Sequence, residues 1–437
     1  MREVFTLAYP VMLQQVSTTT MGVVDSAMVG RLGPTELAAV GFGSIWIWTI
    51  FSFFYGTASG IQTFVSQYDG AGRQRECGAW TWQGLYALLP AALIVVWVAS
   101  PWIPDLLALL GPSSAMQENA AVYIQARLPG EVAMAGLMAF SAFYRGTGDT
   151  RTPMLITFGA NIINGVLDYG LIFGKFGLPA WGVAGAGTAT AISNAIGALV
   201  FAALIFRPSV MAKFRTKPVA PNLREIGRLL RIGIPIGGQM TIGMTSFAFF
   251  TTLVARMGDH SMAASQAFVM LLSMSFMQAV GISIAASTLA GRYVGAGDPA
   301  SVRKSLRSSL TLGVLLAIVV AIVFVTTPGP LLRIFTTDAN VVNLGRPLLF
   351  IGAAFQFFDA IAIITQGALR GVGDTRWPFL IETAFGWGVF VPLAYLLGIT
   401  LDFGLSGAWF GACISLVLTA TALVWRFRSG AWEHMRI

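Results

Sequence analysis

Twelve stretches of this chain stay apolar over the roughly 20 residues that a helix needs to cross a bilayer. They run at about 5–29, 38–66, 79–100, 119–144, 152–174, 181–206, 229–255, 263–290, 305–327, 340–368, 377–398 and 404–426. In hydrocarbon every backbone N–H and C=O must be satisfied within the chain, so spans of this length fold as helices. Charge agrees: 11% of residues are charged and 56% hydrophobic, against about 25% charged in an ordinary soluble domain. So few charges cannot clothe a water-soluble surface. The chain is therefore predicted to be an all-α integral membrane protein of twelve transmembrane helices. Its 49 glycines suit helices that approach closely in a membrane. The second and eighth stretches are long, which predicts tilt or extension beyond the bilayer.

One long polar interruption, 207–228, reads as a cytoplasmic linker. It divides an N-terminal six-helix lobe (1–206) from a C-terminal six-helix lobe (229–437). Basic residues orient the spans, since Lys and Arg accumulate in cytoplasmic loops. Of the 27 Lys and Arg, 21 fall on the side of the two termini and the even-numbered loops. Arg31, Arg127, Lys175, Arg256, Arg333 and Arg346 fall on the other. Both termini are thus expected in the cytoplasm. The net charge of +8 follows from this bias. Charge spread over loops beside spans points to anionic lipid headgroups as partners, and away from nucleic acid.

The two lobes carry an internal repeat. RGTGDTRTP at Arg145–Pro153 recurs as RGVGDTRWP at Arg370–Pro378, an offset of 225. YDGAGR at Tyr68 recurs as YVGAGD at Tyr293, and GRLG at Gly30 as ARMG at Ala255. Pro10 matches Pro235 and Gln14 matches Gln239 at the same offset. GVAGA at Gly182 matches GLSGA at Gly404 after a small deletion. Six spans return the chain to its starting side, so the repeats share one orientation. They are expected to be related by a pseudo-two-fold axis along the membrane normal. Such lobes would frame a central cavity that rocking opens to each side in turn.

Enzymatic chemistry finds no foothold. Cys77 and Cys413 are too few and too far apart in sequence for a disulfide frame or metal cluster. Neither His260 nor His434 sits in a zinc-protease pattern, and no Walker, dinucleotide or nucleophile-elbow motif has a credible context. An enzyme, an ATP-driven pump and a cofactor are not expected. The N-terminus runs straight into the first span with no small-residue cleavage site, so no cleavable signal is expected. With no obvious selectivity filter, a channel is disfavoured.

The chain resembles the MATE family of multidrug and toxin exporters, in its bacterial NorM/DinF-like branch, over essentially its whole length. The resemblance rests on Pro10 with VVDSAMVGRLG, the R-G-x-G-D-T-R-x-P loop in both halves and NxxLDYGLIFG around Asp168. WGVAGAGTATAIS and FQFFDA around Asp359 add to it. It implies two six-helix bundles in the bacterial inner membrane and export of small organic cations driven by entry of H⁺ or Na⁺. A monomer is expected.

Ionisable groups inside spans are costly and are functional hypotheses by default. Asp25 lies roughly 7 Å, and Asp168 roughly 9 Å, in from the outer ends of spans 1 and 5 by helical rise. Asn164 shares the Asp168 helix face, and Thr188 and Thr190 reach the same layer from span 6. Two carboxylates in one layer repel unless a proton or cation is shared. Hard oxygens suit H⁺ or Na⁺ and not a soft metal. The residues alone also allow a static polar cluster that joins helices. The resemblance implies that Asp25, Asn164, Asp168 and a threonine, here Thr190, form the N-lobe cation site. Asp25 and Asp168 would be metal ligands only under sodium coupling.

In the C-terminal lobe Asp359 lies near mid-membrane. The resemblance assigns it to a cation or substrate site, but the glutamate that the NorM-like branch carries in span 7 is replaced by Gly243. Asp359 is expected to act as a counter-charge for substrate or as a second proton site. Pro10 removes a backbone donor fifteen residues before Asp25; it is either a hinge, as the resemblance suggests, or a tolerated proline near a helix start. Gln14, Gln239 and Glu131 either line the cavity or bond to neighbouring helices. Glu382, six residues past Arg376, is expected to snorkel to the cytoplasmic surface or to pair there. Met270, Met274 and Met277 form a stripe on span 8 that suits an adaptable cavity wall or ordinary packing against lipid. The alternative cargo, a lipid-linked intermediate moved by a flippase of the same architecture, would need cations deep in the cavity. In the sequence the deep charges read as acidic. Carboxylates bind H⁺ and Na⁺ alike, so the residues do not separate the two.

Overall fold

The structure, a computed structural model, describes residues 1–110, 114–336 and 338–435; Arg436, among the basic residues counted above, lies outside them. Among the described residues there is helix and no strand. Twelve long helices follow the chain. They are α1 (Arg2–Val29), α2 (Pro34–Gly70), α3 (Cys77–Leu110), α4 (Ser114–Gly146), α5 (Arg151–Phe173) and α6 (Val183–Ile205). The second set is α7 (Leu223–Ala255), α8 (Asp259–Gly295), α9 (Pro299–Thr326), α10 (Ala339–Val372), α11 (Arg376–Thr400) and α12 (Gly404–Arg428). The twelve correspond to the twelve predicted spans. The second and eighth are 37 residues each, the extension their apolar runs predict. Nine of the twelve are apolar enough to cross a membrane by composition alone, counted over the described residues. The other three, α1, α4 and α7, are diluted by Gln14, Asp25, Arg127, Glu131 and Gln239, which prove to be the polar groups of interest.

The chain packs as two compact units. One holds Leu13–Gly237; the other holds Met1–Met12 with Gly238–Ile437. The chain therefore passes from one unit to the other inside two continuous helices, α1 and α7. Each crossing lies two residues beyond a proline, Pro10 or Pro235. A proline within a helix removes one backbone bond and is a standard site of bending.

Within each unit, one glycine lets a first helical segment lie close. In the first unit a side chain at Gly56 on α2 would come within 2.6 Å of the Gly237 Cα on α7. In the second, one at Gly281 on α8 would come within 2.6 Å of Met12 on α1. There Val4, Leu7 and Ala8 of α1 join a core with Ile282, Leu289 and Ile364. A second core of that unit is built on Phe250, Phe268 and Trp409.

The polar stretch 207–228 does not hang free. It carries a short helix, Pro208–Phe214, and is strapped to α3. Trp82, Gln83 and Tyr86 donate to the carbonyls of Thr216, Ala220 and Val219 over 2.8–3.0 Å. Helix α11 is interrupted by two π turns, Gly386–Phe390 and Leu396–Thr400. Such wide turns leave the backbone pattern irregular and recur at functional sites.

Candidate cation-coupling site

In the unit Leu13–Gly237, α1 carries Asp25, α5 carries Asn164 and Asp168, and α6 carries Thr190. Asn164 and Asp168 are one turn apart and share a face; both are fully buried. Helix α6 is drawn against α4 by Gly187, where a Cβ would stand 2.7 Å from the Tyr123 carbonyl. Any larger residue there would push α6, and Thr190 with it, outward.

Asp25 and Asp168 meet. Their carboxyl groups lie within hydrogen-bonding reach of each other. Apart from that mutual contact, neither oxygen of Asp168, nor Oδ1 of Asp25, nor either polar atom of the Asn164 amide has a hydrogen-bond partner among the described residues. A buried polar atom without a partner costs about 1–3 kcal/mol, and in a native protein each one calls for an explanation. Five such atoms on three residues of one unit form a polar layer that is electrostatically incomplete. Two adjacent carboxylates can hold one proton between them, or a hard cation that also takes an amide oxygen.

Thr190 is 8% exposed and its hydroxyl donates to the Ala186 carbonyl over 3.1 Å. Thr188 is half-buried and donates to Ala184 over 2.8 Å. Each keeps lone pairs for a cation. The acid pair itself is the contact the structure brings together. Among the described residues no group of three or more His, Cys, Asp or Glu gathers, so the layer is a two-acid site.

An ion pair that the sequence does not announce, Arg127–Glu131, stands nearby. Arg127, an outer-side charge by the positive-inside count, lies thirteen residues into α4. Its Nε donates to Glu131 over 3.2 Å, and its Nη1 to the Tyr123 hydroxyl over 2.7 Å and Ser44 over 3.3 Å. Arg127 is also close enough for its charge to act on Asp25. The signal was present as Tyr123, Arg127 and Glu131 at i, i+4 spacing. Glu131 is 3% exposed and bonded within its own helix.

Gln14 and Gln239 are likewise buried. Gln14 accepts from Arg145 over 3.0 Å and donates to Thr157 over 2.8 Å. Gln239 accepts from Arg370 over 2.9 Å. The arginines that open the two R-G-x-G-D-T-R motifs thus hold the glutamines that follow Pro10 and Pro235. Pro10 is buried within α1. Met270 and Met274 are exposed and Met277 half-buried, on α8.

In the unit that includes Gly238–Ile437, Asp359 is half-buried on α10 and feels the charge of Glu382 on α11. Of the two outcomes expected of it, snorkelling or pairing, Glu382 shows pairing. It lies within hydrogen-bonding reach of Gln239 and in the field of Arg370. A Cβ on Gly243 would stand only 3.3 Å from its Oε1. The Glu382 carboxylate from α11 thus fills the space beside Gly243.

A twelve-helix membrane fold in two sequence-related halves, with a buried acid pair within one unit, is that of a membrane transporter. The chain belongs to the MATE family: the MatE pattern matches residues 10–170 and 235–396. It is 31% identical to the probable multidrug resistance protein NorM of Thermotoga maritima, over 100% of this chain and 94% of that one. It is 32% identical to the probable NorM of Xanthomonas campestris pv. campestris, over 97% and 92%. Its fold is similar to that of the eukaryotic MATE transporter AtDTX14, with a TM-score of 0.89 at 22% identity, covering 99% and 96%.

Proposed function

We propose that this protein is a secondary antiporter of a bacterial inner membrane that exports small organic cations in exchange for H⁺ or Na⁺. The observation that carries the reading is the Asp25–Asp168 contact, with the partnerless Asn164 amide on the same helix as Asp168. Empty of any cation, the pair carries at most one full negative charge comfortably. Protonation or Na⁺ binding neutralises it and removes the repulsion between α1 and α5. Pro10 lets α1 respond by bending.

The NorM relatives are named as multidrug resistance proteins, which supports a drug-like cargo. Acidic Asp359 and Glu382 supply a counter-charge for such a cation within their own unit. The basic bias of 21 to 6 supports cytoplasmic termini. Export by alternating access of a monomer, from a lobe at 1–206 and one at 229–437 joined by 207–228, completes the reading. A flippase for a lipid-linked phosphate would draw on a deep cation; Arg127 is one, but Glu131 already compensates it.

The test is efflux of a fluorescent organic cation from proteoliposomes under an imposed proton gradient, then under a sodium gradient alone. Efflux driven by either gradient supports antiport and names the ion. Efflux indifferent to both contradicts the reading.

A further inference from the structure

Outside the acid layer, a groove of 740 Å³ lies between α9 and α12. Arg303, Arg307 and Arg428 stand at one end of it, and Leu306, Leu310 and Leu315 line its floor. Arg303 and Arg307 lie in the first turns of α9, and Arg428 is the last residue of α12. The three guanidinium groups therefore gather where one helix starts and the other ends.

A helix start favours anions, so cations there need compensation. Arg303 has it, from Glu433. Arg307 and Arg428 are exposed, and neither forms an ion pair among the described residues. From Arg303 to Leu315 the floor descends roughly 18 Å by helical rise, so the groove is cationic at its mouth and apolar along its length. Helix α9 is the most apolar of the nine membrane-competent helices, which sets this wall against lipid. Trp425, exposed three residues before Arg428, suits the headgroup level where tryptophan concentrates in membrane proteins.

We propose that the groove is a binding site for one anionic phospholipid, its phosphate held by Arg307 and Arg428 and an acyl chain lying along Leu306, Leu310 and Leu315. Guanidinium groups match phosphate oxygens in a fork. A zwitterionic lipid carries its own cation beside the phosphate and gains less from the pair. A free phosphate ion would use the arginines and leave the apolar floor uncovered.

The experiment is native mass spectrometry of the delipidated full chain in detergent, titrated with phosphatidylglycerol or phosphatidylcholine of equal chain length. Phosphatidylglycerol adducts should exceed phosphatidylcholine adducts about ten-fold in the wild type, and fall to the phosphatidylcholine level in Arg307→Ala/Arg428→Ala. Leu310→Trp, which fills the floor and spares both arginines, should lose the phosphatidylglycerol adduct as well. Equal phosphatidylglycerol binding by wild type and either variant overturns the proposal. So does displacement of the lipid by inorganic phosphate combined with full binding in Leu310→Trp, since that marks a free-anion site.

Discussion

Arg145 donates to Oε1 of Gln14 over 3.0 Å, across 131 residues of sequence. Arg370 makes the same contact with Gln239 over 2.9 Å, again across 131 residues. Both arginines end the fourth helix of their half, and both glutamines stand four residues past a proline in its first helix. The duplicated motif thus pins each first helix just beyond the point where it enters its compact unit.

Arg145→Ala should therefore weaken the fold by the loss of a charge-assisted hydrogen bond, about 1.5–3 kcal/mol. Thermal unfolding in detergent reads this directly. Arg145→Lys should recover only part of the loss, because an ammonium cannot reproduce the guanidinium fork. An unchanged midpoint in Arg145→Ala would show that the latch contributes nothing.

The Arg127–Glu131 pair gives a second test. Removing one member strands a buried charge and costs roughly 3–5 kcal/mol, whereas removing both costs much less. Arg127→Met and Glu131→Leu should each lower the unfolding midpoint, and the double variant should recover most of it. Strictly additive losses would mean that the two side chains act independently.

Much of this was legible beforehand, for reasons that differ from residue to residue. Twelve helices follow from apolar run length, and the halves from the 225-residue offset, because both signals are long. Asp25 and Asp168 could be placed in one layer because helical rise converts residue count into depth. The Arg127–Glu131 pair is hard to read from sequence because charge counting weighs Arg127 only by side, although it lies inside the apolar run 119–144. That Glu382 pairs is legible from its nearness to Arg376, but its partner is not, because its depth gives no hint that Gly243, 139 positions away, leaves space for it. The crossings within α1 and α7 had no local signal beyond Pro10 and Pro235, since the helices there are continuous.

Gly243→Glu tests the substitution of one acid for another. A glutamate there would crowd Glu382, already 3.3 Å from a Cβ at that position. Transport should fall sharply and return in part when Glu382→Gln removes the second charge. Asp359→Asn should narrow the range of exported cations more than it changes the response to the ion gradient. Drug susceptibility profiles and gradient-driven efflux separate these effects; an unaltered drug profile would count against Asp359.

Pro10→Ala restores the backbone bond to Thr6 and stiffens α1. The variant should fold with equal or higher thermal stability, and its maximal efflux rate should drop while substrate affinity holds. A wild-type rate would mean that α1 does not bend at Pro10 during transport.

The most direct measurement is gradient-driven efflux by Asp25→Asn and Asp168→Asn, each purified, shown to be folded and reconstituted beside the wild type. Each variant keeps the shape of the carboxyl group and removes the charge that the proton or cation answers. Both should transport at the level of protein-free liposomes while retaining a cooperative thermal transition. Wild-type efflux by either folded variant would contradict the account at its centre.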